Sequence, residues 1–178
     1  GTYHESISLT TGVLLYGGFG GSETLLADRS AAATSTIDGS TARDGEPAYH
    51  VVVIDGISSA RLDGFTVTGG QGNGIDHDQA GGGIYCNGWD DPVVIANCTI
   101  VDNSASRRGG GISCFYSSPL IINCSIIGNA AEDWFEFFGG GGIHCSGGDP
   151  IIESCTIMGN IAHWGGGAAF SNSNPAIS

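Results

Sequence analysis

Three consecutive glycines stand before a short apolar segment four times in this chain: "GGGIYC" from Gly81, "GGGISC" from Gly109, "GGGIHC" from Gly140 and an eroded "GGGAAF" from Gly165. The residue after the glycines sets a register of Ile84, Ile112, Ile143 and Ala168, with spacings of 28, 31 and 25 residues. A fixed internal period constrains a fold more than any other sequence signal, because each repeat buries its apolar face only against its neighbours. A second cysteine follows the first in each full unit: Cys98 after Cys86, Cys124 after Cys114, Cys155 after Cys145. Around it the text reads "VVIANCTIVDN", "LIINCSIIGN" and "IIESCTIMGN". The earlier "RLDGFTVTGG" fits the same frame with Phe65 in the cysteine's place, and "SNPAIS" opens a further copy.

Each unit therefore holds three short segments, typified by "GIYC", "VVI" and "CTI", whose period-two alternation is that of half-buried strands. Ile84, Cys86, Ile95, Cys98, Ile100 and their equivalents face inward, while Tyr85 and Thr99 face out. Asn97, Asn123 and Ser154, with Gly64 in the early copy, fall between the second and third strands, where a sharp bend calls for left-handed backbone. Asn103, Asn129 and Asn160 close the third strand in the same way and are placed to bond to one another along the stack. The glycines bring the chain from a variable loop into the first strand, at a corner where stacked coils approach too closely for side chains. A phosphate-cradling loop would need a helix after the glycines, and Ile-Tyr-Cys does not start one.

The "GGGIxC…NCxIxxN" frame resembles the right-handed parallel β-helix repeats of secreted bacterial proteins, including the pectate-lyase-like and polymorphic outer-membrane-protein types, over residues 62–178. The opening "GTYHESISLTTGVLLYGGFGG" fits more loosely, so residues 1–61 read as irregular N-terminal coils of one domain spanning 1–178. The resemblance implies an all-β solenoid of 25–31 residues per coil in an extracellular or cell-surface, bacterial setting. It does not choose among the enzymes, adhesins and structural proteins that such repeats build.

Charge narrows the partners. Eighteen acidic residues face five arginines and no lysine, for a net charge of −13, which disfavours nucleic acid and anionic membranes. No apolar run approaches the ~20 residues that span a bilayer, and no signal-peptide pattern opens the chain, which fits a mature chain or a fragment. The six cysteines fall into two columns, Cys86/Cys114/Cys145 and Cys98/Cys124/Cys155. With no C-x₂-C pair, zinc is disfavoured, and the expectation is reduced cysteines packed as small apolar side chains. An oxidised column is the competing outcome in an extracellular setting.

Candidate chemistry is sparse. The outward column of the first strand runs Tyr85, Ser113, His144, Ala169, one histidine and no carboxylate, whereas acid–base work on a glycoside takes two ionisable groups within reach of one sugar. Glu153 is the outward acid of the second strand. In "QGNGIDHDQA", Asp76 and Asp78 flank His77; two carboxylates so spaced can converge on calcium, which makes them candidate ligands for the one cofactor suggested. Asp90 and Asp91 in "NGWDDP" form a weaker cluster that also reads as turn chemistry.

Binding surface is expected on the variable loops "SASRR", "AAEDWFEFFG" and "IAHW". Trp134, Phe135, Phe137, Phe138 and Trp164 lie there. Trp89, Tyr116, Trp134, Phe135, Phe137 and Trp164 are the candidate carbohydrate- or partner-binding aromatics, with rings folded back over the coil as the alternative. Val94, Leu120 and Ile151 point outward on the second strand, with Ile122, and an apolar outer row implies a cover or an assembly surface. The chain opens in mid-coil and closes before a third strand, which leads to an expectation of open ends and head-to-tail stacking. The sequence thus favours a non-catalytic, fibre-forming or adhesive surface solenoid over a polysaccharide lyase, hydrolase or carbohydrate-binding β-helix.

Overall fold

The computed structural model describes residues 1–30, 33–56, 59–88, 93–132 and 139–178. Among these the chain forms four all-parallel sheets, three of six strands and one of four, and the strands in each sheet come from successive coils. This is a parallel β-helix. The first sheet collects the strands after the glycines, including Ile84–Asn87, Ile112–Phe115 and Ile143–Ser146. One full coil continues with Leu120–Ile122 in the second sheet and Ser125–Ile127 in the third. The opening segment uses the same architecture, with Ile7–Ser8, Leu14–Tyr16 and Ser35–Asp38 joining the first, second and third sheets.

The expected three strands per coil are in fact four. Gln71–Gly72, Ser104–Ala105, Ala130–Ala131 and Ile161–Ala162 pair into the additional sheet. Two residues are too few to show alternation, and these lay in what read as variable loop. Their smallness has a cause: a Cβ on Gly110 would land on the carbonyl oxygen of Ala130, so the corner and the short strand press backbone against backbone. A Cβ on Gly111 would sit 2.6 Å from the carbonyl oxygen of Gly142 in the next coil. Gly109, the first of the triplet, turns at φ +59°, a conformation that a side chain resists.

Inside, side chains stack in columns. Ile84, Ile112 and Ile143 are in register and fully buried, as are Ile95 and Ile121, and Ile100 and Ile126. Full burial of each isoleucine contributes ~1.5–3 kcal/mol relative to exposure. Cys86, Cys114 and Cys145 form one column, continued by Phe170. The second column, Cys98, Cys124 and Cys155, begins at Phe65 as the frame implied. All six cysteines are unbridged. The Cys98, Cys124 and Cys155 thiols donate to the carbonyls of Ala96, Ile122 and Glu153 at 3.1, 3.3 and 3.2 Å.

The bends between second and third strands are left-handed, with φ of +52° at Asn97, +53° at Asn123, +51° at Ser154 and +81° at Gly64. The second expected set is displaced by one residue: Asp102, Gly128 and Gly159 take the positive φ, and the asparagines after them turn inward. Asn103 and Asn129 are buried. Asn129 Oδ1 accepts the backbone N–H and the side-chain amide of Asn103, both at 3.1 Å. Asn160 Oδ1 does the same for Asn129, at 2.9 and 3.0 Å. The Asn129 amide also donates to the carbonyl of Ile100 in the coil before, at 2.9 Å. The Asn103 and Asn129 amides thus each tie three coils.

Two outcomes follow. Asn129→Ala strands several buried donors and acceptors at ~1–3 kcal/mol each, so it should lower unfolding stability by about 3 kcal/mol or more, whereas Asn123→Gly, at an exposed left-handed bend, should change it by under ~1 kcal/mol. Urea titrations of the two variants compare them, and equal midpoints would refute the ladder's role. Cys155 is half-buried, and the hydrogen bond from Cys124 pulls its thiol down to about 6. Brief alkylation of the folded chain should therefore label Cys155 ahead of the five buried cysteines, as read by peptide mass spectrometry.

Candidate functional site

The outward column of the first sheet was expected to face solvent. It runs Val53, Tyr85, Ser113, His144, Ala169 in register, and its middle is buried: Tyr85 is 4%, Ser113 0% and His144 1% exposed. The correction has a physical source in residues outside the column that pack on this face. His50 stacks on Tyr85 with ring centroids 4.8 Å apart and planes at 21°, and its Nδ1 donates to the carbonyl of Gly81 at 3.0 Å. His77 sits in the short 3₁₀ turn Asp76–Gln79 and meets the ring of Tyr85 at 6.1 Å and that of Phe115 at 6.4 Å. Phe115 lies 5.9 Å from both Tyr85 and His144, and the Arg108 guanidinium covers it at 5.2 Å.

Above this aromatic layer opens a cleft of about 350 Å³ lined by Asp76, His77, Gln79, Ala80, Arg107, Arg108 and Phe115. Burial, seconded by the Arg108 charge, holds the His144 imidazole down at about 4. It is a buried, neutral ring beside Phe115.

A second polar cluster escaped the sequence reading. Asp63 ends a second-sheet strand with its side chain 1% exposed. Its Oδ1 accepts from Arg29 at 2.8 Å and Asn97 at 2.9 Å, and its Oδ2 accepts from Arg61 at 2.8 and 2.6 Å. Burial pushes the carboxyl up, but hydrogen bonds from Arg29, Asn97 and Arg61 outweigh it and leave it below its ordinary value. The alternation of Arg61 and Asp63 in "ARLDG" was the available signal, since it sets both on one face of a strand.

The sequence candidates disperse. Trp89, Trp134, Phe135, Phe137 and Phe138, with Asp90 and Asp91, lie outside the described residues, as does the side chain of Asp78. Asp76 is exposed in the short turn at φ +53°, and among the described residues no three metal-ligating side chains gather. Tyr116 (49% exposed) and Trp164 (50%) are both open to solvent. They sit at opposite ends of the first-sheet strands, Tyr116 just after Phe115 and Trp164 just before Gly165, so they do not form one platform. Asp76 and Glu153 likewise occupy opposite corners of the coil, the first before the first sheet and the second at the end of a second-sheet strand. Val94, Leu120 and Ile151 do align in one outer row, half-buried except for Ile151 at 40%. Ile122 lies beside it, level with Ala96 and Glu153.

The histidine gives a pH test. A folded-state value near 4 against the ordinary 6.5 means that the neutral form is favoured by folding. That contribution is full above pH 6.5 and is lost as the pH falls from 6.5 to 4, by about 3 kcal/mol at most. His144→Gln should flatten the stability–pH curve in that window, and an unchanged slope would refute the assignment.

No curated protein matches the chain, and no solved structure does. A family model described as "right handed beta helix region" matches residues 26–178. With its parallel sheets and stacked columns, this chain belongs to the right-handed β-helix family.

Proposed function

We propose that this chain is a non-catalytic structural or adhesive solenoid of the extracellular or cell-surface type. The observation that carries this reading is the roofed outer column, in which Tyr85, Ser113 and His144 are packed away under His50, His77 and Phe115. The buried carboxylate, Asp63, is spent on two arginines and an asparagine that tie the opening segment to the coils. In finer detail, copies stack end to end. A second copy continues the in-register columns of isoleucine and cysteine, and the outer row of Val94, Leu120 and Ile151 adds lateral surface.

Exposed Tyr116 and Trp164 favour a second reading as a carbohydrate-binding β-helix. Light scattering over a concentration series, with electron microscopy, should show elongated particles that grow with concentration. A panel of polysaccharides should yield neither new reducing ends nor unsaturated products. Turnover that falls in Asp76→Asn or Glu153→Gln would overturn the non-catalytic reading, and a monomer at every concentration would overturn the stacking.

A further inference from the structure

The outer face of the third sheet carries a regularity that neither the core nor the structural role uses. Thr2, Thr36, Thr66, Thr99, Ser125 and Thr156 stand in register from strand to strand, so one rank of hydroxyls runs along the solenoid axis. The four central members are half-buried between their neighbours. Among the described residues, no hydrogen bond within the fold takes up any of these hydroxyls. Two residues further along their strands, Thr68, Val101, Ile127 and Met158 set a mostly apolar column beside the rank. Charge at the outward positions of these strands is confined to Asp38, which His4 meets at 3.3 Å. From Thr66 to Thr156 no outward residue of the sheet is aromatic.

The chemistry and the repeat select an occupant. Neighbouring strands recur at ~4.8 Å, close to the oxygen repeat within a layer of ordinary ice. Branching at Cβ restricts threonine at χ1, so each one offers a hydroxyl and a methyl from a fixed place. The buried column of Ile37, Val67, Ile100 and Ile126 behind the face holds the strands in line. A sugar chain would call for an aromatic platform, which this face lacks. Charged side chains keep water in shells of their own, and their scarcity here leaves the hydroxyls free to share a lattice with water.

We propose that the outer face of the third sheet binds ice, the hydroxyl rank taking oxygen positions at the lattice surface and the methyls filling the hollows beside them. This goes beyond the structural reading above and is independent of it, because the face belongs to a single copy and needs no stacking.

The experiment grows ice slowly from a solution of the full chain and compares the protein retained in the ice with that left in the liquid. At least tenfold enrichment is expected over an inert acidic protein of similar size. Thr99→Tyr, which sets a ring in mid-rank, should cut the enrichment at least fivefold with the urea midpoint preserved. Gln71→Tyr adds the same bulk on the fourth sheet and should leave it unchanged. Should Thr99→Tyr fail to fold, Thr99→Val, which keeps the shape and removes the hydroxyl, should lower it at least twofold. Exclusion from ice to the same degree as the inert protein would overturn the proposal, as would retention indifferent to the Thr99 substitutions. Retention on insoluble cellulose or chitin that Thr99→Tyr abolishes, with no enrichment in ice, would overturn it in favour of a polysaccharide.

Discussion

Successive coils of this molecule touch backbone to backbone at the glycine corner, and the spacing set there governs the rest of the section. The N–H of Gly83 bonds to the carbonyl of Gly110, that of Gly111 to Gly141, and that of Gly142 to Gly166, at 3.1, 3.1 and 3.0 Å. With no Cβ to hold them apart, the triplets form a ladder of their own, continuous with the first sheet. A single methyl on the middle glycine would meet the backbone carbonyl of the short fourth strand, whether Ser104, Ala130 or Ile161 supplies it, so glycine is required there. The inward columns of isoleucine and cysteine inherit their register from that ladder. Side chains of identical shape then repeat at the strand spacing of ~4.8 Å, and the core is as regular as the backbone.

Polar burial follows the same axial logic. An isolated buried amide would be destabilising, but Asn103 and Asn129 each find partners in the coils before and after them, and Asn160 closes the ladder on Asn129 and Ile126. At the base of the ladder the backbone N–H of Gly70 takes over, donating to Asn103 Oδ1 at 3.0 Å. Asp63 is handled differently, because a full charge needs more than amides. Arg61 reaches it from two residues earlier on the same strand, and Arg29 arrives from the long opening connection. The ion cluster pins a loop that the apolar columns do not hold, and Asn97, at the left-handed bend of the next coil, completes it.

What was legible in the chain was what repeats. Period-two alternation located the inward isoleucines of the regular coils, though not Ile37 and Ile54 in the opening segment, and the frame put Phe65 and Phe170 in the cysteine columns. The bend at Asn97, Asn123 and Ser154 could be read because only asparagine, serine and glycine occupy it. The neighbouring bend was misplaced by one residue because asparagine was the conspicuous letter in "VDN", "IGN" and "MGN", although glycine in two of the three is the better left-handed residue. The fourth strand was invisible because two residues carry no period. The packing over this face was invisible for a different reason: His50, His77 and Arg108 come from the connections before three different strands, whose sequences do not repeat. A repeat tells which way a side chain points and says nothing about what lies on top of it.

That distinction bears on how such a solenoid acquires function. The coil itself is fixed by its interior, where every position answers to the position above it. Connections escape this constraint, and here they are put to two opposite uses. On the corner between second and third sheets, the connection that brings Arg29 is consumed in neutralising Asp63. On the corner before the first sheet, the connections that bring His77 and the Arg107–Arg108 pair build an aromatic floor and leave a charged cleft above it. A hydroxyl, an imidazole and a phenol on an outer face would suggest chemistry if they were open. Buried as Ser113, His144 and Tyr85 are, they belong to the packing of this face, where Tyr85 and His144 flank the Phe115 ring.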